Sequence, residues 1–245
     1  MTLSKELAAW IGGQVKSAGK KGIVLGLSGG VDSAVVAALS KLALNDRVLG
    51  LILPCRGHAE DVRLAQEVAK AFDINTREVV LDSLFDELTG AFPEANKLAR
   101  ANVKPRLRMA MLYYFANTLD YLVAGTGNKS ELTVGYFTKY GDGGVDILPL
   151  GNLLKKDVKK LAAELGVPRE VINRAPSAGL WEGQTDEGEM GITYDELDRA
   201  IIDIEAGKTE NIDNKILAKV KTLMQNSEHK KCKVPLYEPG KSMTE

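Results

Sequence analysis

One short turn gathers the residue types that hold phosphates. Residues 25–33 read LGLSGGVDS: Gly26 and Leu27 lead into Ser28, Gly29 and Gly30, and Val31, Asp32 and Ser33 open a helical pattern. Adjacent glycines let the backbone take unusual angles and let a ligand approach closely. Backbone N–H groups, two hydroxyls and a helix N-terminus then converge on one point, an anion site suited to phosphates. Asp32 is out of place beside a phosphate unless a cation lies between them, and Mg²⁺ bridging carboxylate and phosphate oxygens resolves this. The plainer reading is a strand–turn–helix whose Asp is favoured by the helix dipole. The turn is not a Walker A loop, because no Gly-Lys-Ser/Thr occurs. GxGxxG is absent from it too, so it is not a dinucleotide fingerprint.

The elements that must position this turn are legible in the hydrophobic pattern. GIVLGL from Gly22, RVLGLIL from Arg47, TREVVL from Thr76 and YLVAGT from Tyr121 are spaced as buried parallel strands. Segments of helical period separate them: VDSAVVAALSKLAL puts Val31, Val35, Ala38, Leu39 and Leu42 on one face, and EDVRLAQEVAKAF does the same with Val62, Ala65, Val68 and Phe72. Strand alternating with helix predicts an α/β fold, an open and mostly parallel sheet with helices on both faces. Ligands of such sheets sit beyond the carboxyl ends of the strands, where this turn falls.

The second half is more helical. LLKKDVKKLAAEL carries Leu154, Val158, Leu161 and Leu165 on one stripe and stops at Gly166, with Pro168 just beyond. Residues 173–191 have no period and are rich in Gly and acids, so they are either functional or disordered. Two amphipathic helices follow, TYDELDRAIIDIEAG and DNKILAKVKTLMQ, and then a polar tail. A helix is expected to start at Pro105, which would place Arg106 and Arg108 in its first turn, the wrong end for positive charge. The four lysines Lys155, Lys156, Lys159 and Lys160 are partly a solvated helix face. No repeat or linker divides the chain, so residues 1–245 are expected to form one domain.

Composition narrows the function classes. Hydrophobic residues make up 44% and aromatics 6%, so the core must be mostly aliphatic. The net charge of −1 gives no electrostatic reason to expect nucleic acid or an anionic membrane as partner. Apolar runs such as VLGLILP are too short to cross a bilayer, and the amphipathic start MTLSKELAAWIGG lacks the order of a signal peptide. Cys55 and Cys232 form no CxxC pair, which argues against structural zinc and for reduced thiols in a cytoplasmic protein. Trp10 and Trp181 are read as packing residues, although Trp181 could cover the site. His58 is read as a helix-entry residue.

SGGVDS resembles the pyrophosphate-binding PP-loop of the N-type ATP pyrophosphatases, a superfamily with an adenine nucleotide alpha-hydrolase-like, Rossmann-like fold. Its members cleave ATP between the α and β phosphates and adenylylate an acceptor oxygen. The acceptor is chosen elsewhere. VAGTGNKSELTVGYFTKYGDGGVDILPLGNLLKKDV and the tail SEHKK are similar to the NAD synthetase signature, in the right order and over nearly the whole chain. That resemblance implies ammonia-dependent amidation of the nicotinate carboxyl of deamido-NAD, with ATP as co-substrate and Mg²⁺ as cofactor, in a homodimer whose interface the dinucleotide crosses.

The resemblance also implies roles. The PP-loop residues from Gly26 to Ser33, Thr126, Lys155 and Ser177 (usually Thr in the family) would contact ATP, and Asp32 and Glu131 would share the Mg²⁺. Asp32 and Lys155 would carry catalysis. Lys155, a cation at a helix start, is explained if the ATP phosphates are its local anion. Arg106, Lys139, Asp146, His229 and Lys230 would hold deamido-NAD. Lys139 and Asp146 flank the YGDGG turn and are expected to point into one cleft, and residues 173–191 are a candidate lid. The loop after the second strand, LPCRGHAEDVRLA, departs from the family pattern, so contacts of Arg56 and His58 stay open. Another PP-loop enzyme, GMP-forming or tRNA-modifying, and a non-catalytic nucleotide-binding module are the competing readings. Neither cysteine sits in a glutaminase context, so free ammonia is the expected nitrogen source.

Overall fold

The computed structural model describes residues 2–91, 95–181 and 183–237. Its sheet holds four parallel strands, β1 (Gly22–Gly26), β2 (Val48–Ile52), β3 (Asn75–Glu78) and β4 (Tyr121–Val123), in the order β3-β2-β1-β4. Ile23 pairs with Val48 on one side and Leu122 on the other. Helix α1 (Leu3–Ser17) precedes β1, and the helices between the strands are α2 (Val31–Leu44), α3 (Ala59–Ala71), α4 (Asp82–Gly90), α5 (Lys97–Ala101) and α6 (Val103–Leu119). After β4 come α7 (Lys129–Val134), α8 (Lys155–Leu165), α9 (Arg169–Asn173), α10 (Asp186–Met190), α11 (Tyr194–Glu205) and α12 (Asn214–Lys231).

Strand alternation splits the core into two layers. Ile23, Leu25, Val48 and Ile52 point to the face covered by α1, α2, α3 and α8. Val24, Leu51 and Val123 point to the other, where α4 and α6 lay Phe85 and Ala116 over them. Each fully buried aliphatic side chain, such as Leu25 or Leu39, contributes about 1.5–3 kcal/mol. A third apolar cluster joins Val134, Met190, Tyr194, Leu197, Ile201 and Val220, and so ties α7, α10, α11 and α12 together.

Four sequence expectations change. TREVVL was expected to be a buried strand, but all four residues of β3 are exposed, because β3 is an edge strand paired only with β2. Only Leu81, beyond the strand, is fully buried. On α2 the buried set is not one stripe: Ala34 through Leu39 are all buried, while Leu42 is 54% exposed. This helix packs against both α1 and α8 as well as the sheet, so it is apolar nearly all round. The helix expected at Pro105 begins at Val103, so Pro105 is its third residue, where the missing N–H would have had no partner anyway. Arg106 and Arg108 therefore lie later on α6 than its first three positions. Finally, α12 runs through Lys231, so the SEHKK segment is helical. Residues 238–245 of the polar tail lie outside the described residues.

Gly166 ends α8 with φ 81°, as its position predicts. Trp10, read as packing, is 42% exposed. Among the described residues no helix is long and apolar enough to cross a membrane.

Candidate active site

The turn after β1 folds as its residue types require. Gly29 has φ 75°, and a Cβ there would lie 2.6 Å from the Asp61 carbonyl oxygen, so only glycine fits. Ser33 Oγ donates to the Gly30 carbonyl at 2.9 Å and lies 3.1 Å from Ser28 Oγ, which accepts from Gly30 N–H. Gly30 caps α2 without a side-chain bond, so the first N–H groups of the helix are available to an anion.

The turn opens onto a cavity of about 650 Å³ beyond the carboxyl ends of the strands. Gly26, Leu27, Ser28, Gly30, Val31, Asp32 and Ser33 line it, and so do Thr126, Glu131, Lys155, Ser177 and Lys230. Gly29 instead packs its backbone against α3.

Lys155 is the first residue of α8 and is only 2% exposed. Its side-chain partners are two carboxylates. Nζ donates to Asp32 Oδ2 at 2.6 Å and to Glu131 Oε1 at 3.0 Å. Burial works against the ammonium, but Asp32 and Glu131 outweigh it and hold its pKa above the usual lysine value. Burial pushes Glu131 the other way, above the ordinary carboxylate range, against the pull of Lys155 and with Asp32 adding to the rise.

Residues that sequence reasoning passed over hold this triad in place. Asn128 is fully buried; its amide donates to Asp32 Oδ1 at 2.9 Å, and it forms a capping box with Glu131 at the start of α7. The Asn-x-x-Glu spacing was a readable signal for that box. Tyr194 Oη reaches Glu131 Oε1 at 3.2 Å and Asp186 Oδ2 at 2.9 Å, and its ring centroid lies 4.8 Å from the Lys155 ammonium. Asp186 is buried, and its Oδ1 has no partner among the described residues. Nothing in the local sequence marks Tyr194 or Asp186, because their role depends on α10 and α11 folding back over the cavity.

Asp198, 1% exposed, serves α8 from α11. It accepts from Lys156 N–H at 2.9 Å and from Ser130 Oγ, which in turn accepts from Lys155 N–H at 3.0 Å. An acid at a helix start also suits the dipole. Asp198→Ala leaves these donors without their acceptor and is expected to destabilise the fold by about 2–4 kcal/mol. Urea denaturation measures this, and an unchanged midpoint would show that water replaces the carboxylate at no cost.

Residues 174–181 and 183–185 form a wall of the cavity. Arg174 pairs with Asp61, Lys104 Nζ donates to the Leu180 carbonyl at 2.8 Å, and Lys97 Nζ lies 4.4 Å from the Trp181 ring centroid. Ser177 Oγ donates to the Gln184 carbonyl at 2.7 Å. Lys104 is 5% exposed and bonds only carbonyls, and burial depresses its pKa. In the loop after β2, Arg56 is turned to Asp86 on α4, whereas His58 caps α3 and lines the cavity.

A model of the family described as NAD synthase matches residues 3–235. The chain belongs to that family. It is 49% identical to the NH(3)-dependent NAD(+) synthetase of Carboxydothermus hydrogenoformans, over 93% of each chain. It is also 49% identical to that of Archaeoglobus fulgidus, over 93% of this chain and 92% of the relative. Among solved structures, NMN synthetase from Francisella tularensis superposes with a TM-score of 0.87 at 37% identity, covering 96% of this chain and 97% of the other. The NH3-dependent NAD synthetase from Campylobacter jejuni gives 0.84 at 27% identity with the same coverage.

The residues expected from the sequence to hold the dinucleotide are only partly gathered. Arg106 donates to the Lys139 carbonyl at 3.3 Å, and Lys139 Nζ donates to the His229 carbonyl at 2.5 Å, so these three meet beside α12. Lys230 Nζ bonds the Gly135 and Phe137 carbonyls at 2.9 Å and reaches the cavity wall. Lys139 and Asp146, expected in one cleft, have separate partners and neither lines the cavity. Asp146 accepts from Tyr113 Oη at 2.9 Å and from Val123 N–H at 2.8 Å. The two stand seven positions apart across a turn that folds Gly141 and Gly144 back on themselves, and β4 claims the Asp146 carboxylate.

Proposed function

We propose that this chain amidates deamido-NAD with ammonia at the expense of ATP, giving NAD, AMP and pyrophosphate. Membership of the NAD synthase family supports this reading. The observation that carries it is the convergence of the Ser28–Ser33 turn with Asp32, Glu131 and Lys155 in one cavity.

The substrate carboxylate oxygen attacks the α-phosphorus of ATP. A bond forms to the adenylyl group, and the bond to the bridging oxygen breaks, releasing pyrophosphate. Ammonia nitrogen then attacks the activated carbonyl carbon, loses a proton and expels AMP. The chain supplies position and charge rather than a nucleophile. Free N–H groups at the start of α2 and the Ser28 and Ser33 hydroxyls hold phosphate oxygens, with Thr126 and Ser177 on the ATP side. Lys155 offsets the charge that grows on the leaving phosphates. Arg106, Lys139, His229 and Lys230 hold the dinucleotide, while the Asp146 carboxylate is engaged by Tyr113 and Val123.

Asp32 and Glu131 would hold Mg²⁺. Two carboxylates completed by phosphate oxygens are a normal set for this ion, and the buried Asp186 Oδ1, without a partner among the described residues, adds a third acid to the same wall. Among the described residues, no three acidic, His or Cys side chains converge on a metal position, so protein alone would not complete the shell. When bound, the ion neutralises phosphate charge. Residues 173–181 and 183–191 are the cover that keeps water from the acyl-adenylate. The working unit is a homodimer of single-domain subunits. Support comes from Tyr114 and Tyr140, 63% and 56% exposed on the segments that carry Arg106 and Lys139. A smaller acceptor, nicotinate mononucleotide, is the second reading, favoured by the likeness to an NMN synthetase.

Product analysis with ATP, Mg²⁺ and ammonium tests both acceptors. Deamido-NAD is expected to yield NAD and AMP in equal amounts and to be preferred over nicotinate mononucleotide; the reverse preference would replace the first reading by the second. The rate at fixed total ammonium should climb with pH as the NH₃ fraction grows. Glutamine alone should give no NAD: Cys55 is fully buried, with burial raising its thiol pKa, whereas a glutaminase nucleophile needs an accessible thiolate, and the exposed Cys232 sits in no glutaminase context. Robust NAD formation from glutamine by ammonium-free protein would overturn this.

A further inference from the structure

We propose that Lys155 is a tethered counter-ion that keeps divalent cations out of the Asp32–Glu131 pair until another anion draws its ammonium away. The inference rests on the proposed function only in naming that anion as the phosphates of ATP.

The geometry makes one position contested. Asp32 Oδ1 is held by the Asn128 amide at 2.9 Å, and Glu131 Oε2 by the Asn128 N–H at 3.2 Å. Each carboxylate is thus pinned by one oxygen, and the two remaining oxygens, Asp32 Oδ2 and Glu131 Oε1, both accept from Lys155 Nζ. A divalent cation shared by these two oxygens would occupy the space that the ammonium fills. Cation and ammonium repel at such range, so binding one weakens the other.

The surroundings suit a moving ammonium on a fixed backbone. The Lys155 and Lys156 N–H groups are anchored by Ser130 and Asp198, which leaves only the side chain to shift. Tyr194 Oη also reaches Glu131 Oε1 at 3.2 Å, and its ring centroid lies 4.8 Å from the ammonium, a contact that favours the cation on this side of the cavity. The start of α2 with its available N–H groups faces the same cavity, so a phosphate bound there meets the Lys155 side chain. Release of the ammonium to the phosphate and entry of the cation between the carboxylates then become one exchange. Metal without nucleotide gains little from the site.

The test is Mn²⁺ titration of the full-length protein without nucleotide, followed by calorimetry and by the electron paramagnetic resonance of free Mn²⁺. Lys155→Met and Lys155→Gln remove the charge while keeping much of the side-chain volume. Both are expected to bind Mn²⁺ about tenfold or more tightly than the wild type, because a unit charge within hydrogen-bond distance of the site is gone. Adding Asp32→Asn to either variant should cancel the gain, and Lys155→Arg, which keeps the charge, should bind as weakly as the wild type. If the Met variant fails to fold by circular dichroism, the Gln variant decides. Mn²⁺ affinity unchanged or weaker in the neutral variants would overturn the proposal. The amidation assay reads the function separately: no NAD formation together with the tenfold gain would remove the proposed reaction and leave the ion exchange standing.

Discussion

Replacing Asp32 by Asn should lower turnover by about 10²–10³-fold, the usual cost of losing one preorganised electrostatic contact in a closed site, while leaving the fold intact. The substitution is isosteric, and with its oxygen kept on Asn128 the new NH₂ faces the Lys155 ammonium donor to donor, so Nζ turns to Glu131. Lys155 keeps Glu131 at 3.0 Å, so the buried ammonium is not orphaned. Asp32 is also one of the charges that hold Glu131 above the carboxylate range, so its removal should let Glu131 titrate lower. Stability and activity should still separate: the protein stays folded with a lowered melting temperature, while turnover collapses. Glu131→Gln should act in the same direction. If Asp32→Asn kept wild-type turnover at limiting Mg²⁺, the carboxylate would have no part in holding the ion.

Gly135→Ala is expected to have the largest effect on the fold. Gly135 ends α7 with φ 69°, a conformation that costs a residue with a Cβ about 1–2 kcal/mol. The added Cβ would lie 2.0 Å from the Cβ of Ser227 on α12, and overpacking of that kind costs about 1–3 kcal/mol more. Ser227 is 4% exposed and bonded to the Leu223 and Met224 carbonyls, so it cannot turn aside. The helix must move, and Lys230, which bonds the Gly135 carbonyl, moves with His229. Chemical denaturation should show a loss of about 2–5 kcal/mol, with weaker deamido-NAD binding in whatever remains folded. Ser227→Gly in the same chain should restore the overpacking part and not the backbone part. Additive effects of the two substitutions would mean the helices do not meet here.

Much of the chemistry was written locally. A phosphate turn needs consecutive glycines and hydroxyls at a strand end, and Ser28 to Ser33 stand next to one another in the chain, so their convergence needs no long-range contact. The alternation of aliphatic runs with amphipathic helices likewise determined an open parallel sheet, because each element must bury a face whose period is visible. The stop of α8 at Gly166 was legible for the same reason. Partnership was not. Lys155 could be recognised as a cation at an unfavourable helix end, yet which side chains face its ammonium depended on Asp32 and Glu131, 123 and 24 positions away. Burial of β3 failed for a related reason: a period of two says which residues share a face, not whether a second neighbour or a covering layer reaches the strand. Asp186, Tyr194 and Asp198 carry no local signal, since ordinary helix-start and helix-face positions become part of the site only when α10 and α11 pack against α7 and α8. The sequence by itself determined the phosphate turn, the order of the elements and the class of sheet, all properties of neighbours along the chain. Only the tertiary structure decided which charges neutralise one another, because the energy of a buried charge depends on what lies within a few ångströms in space.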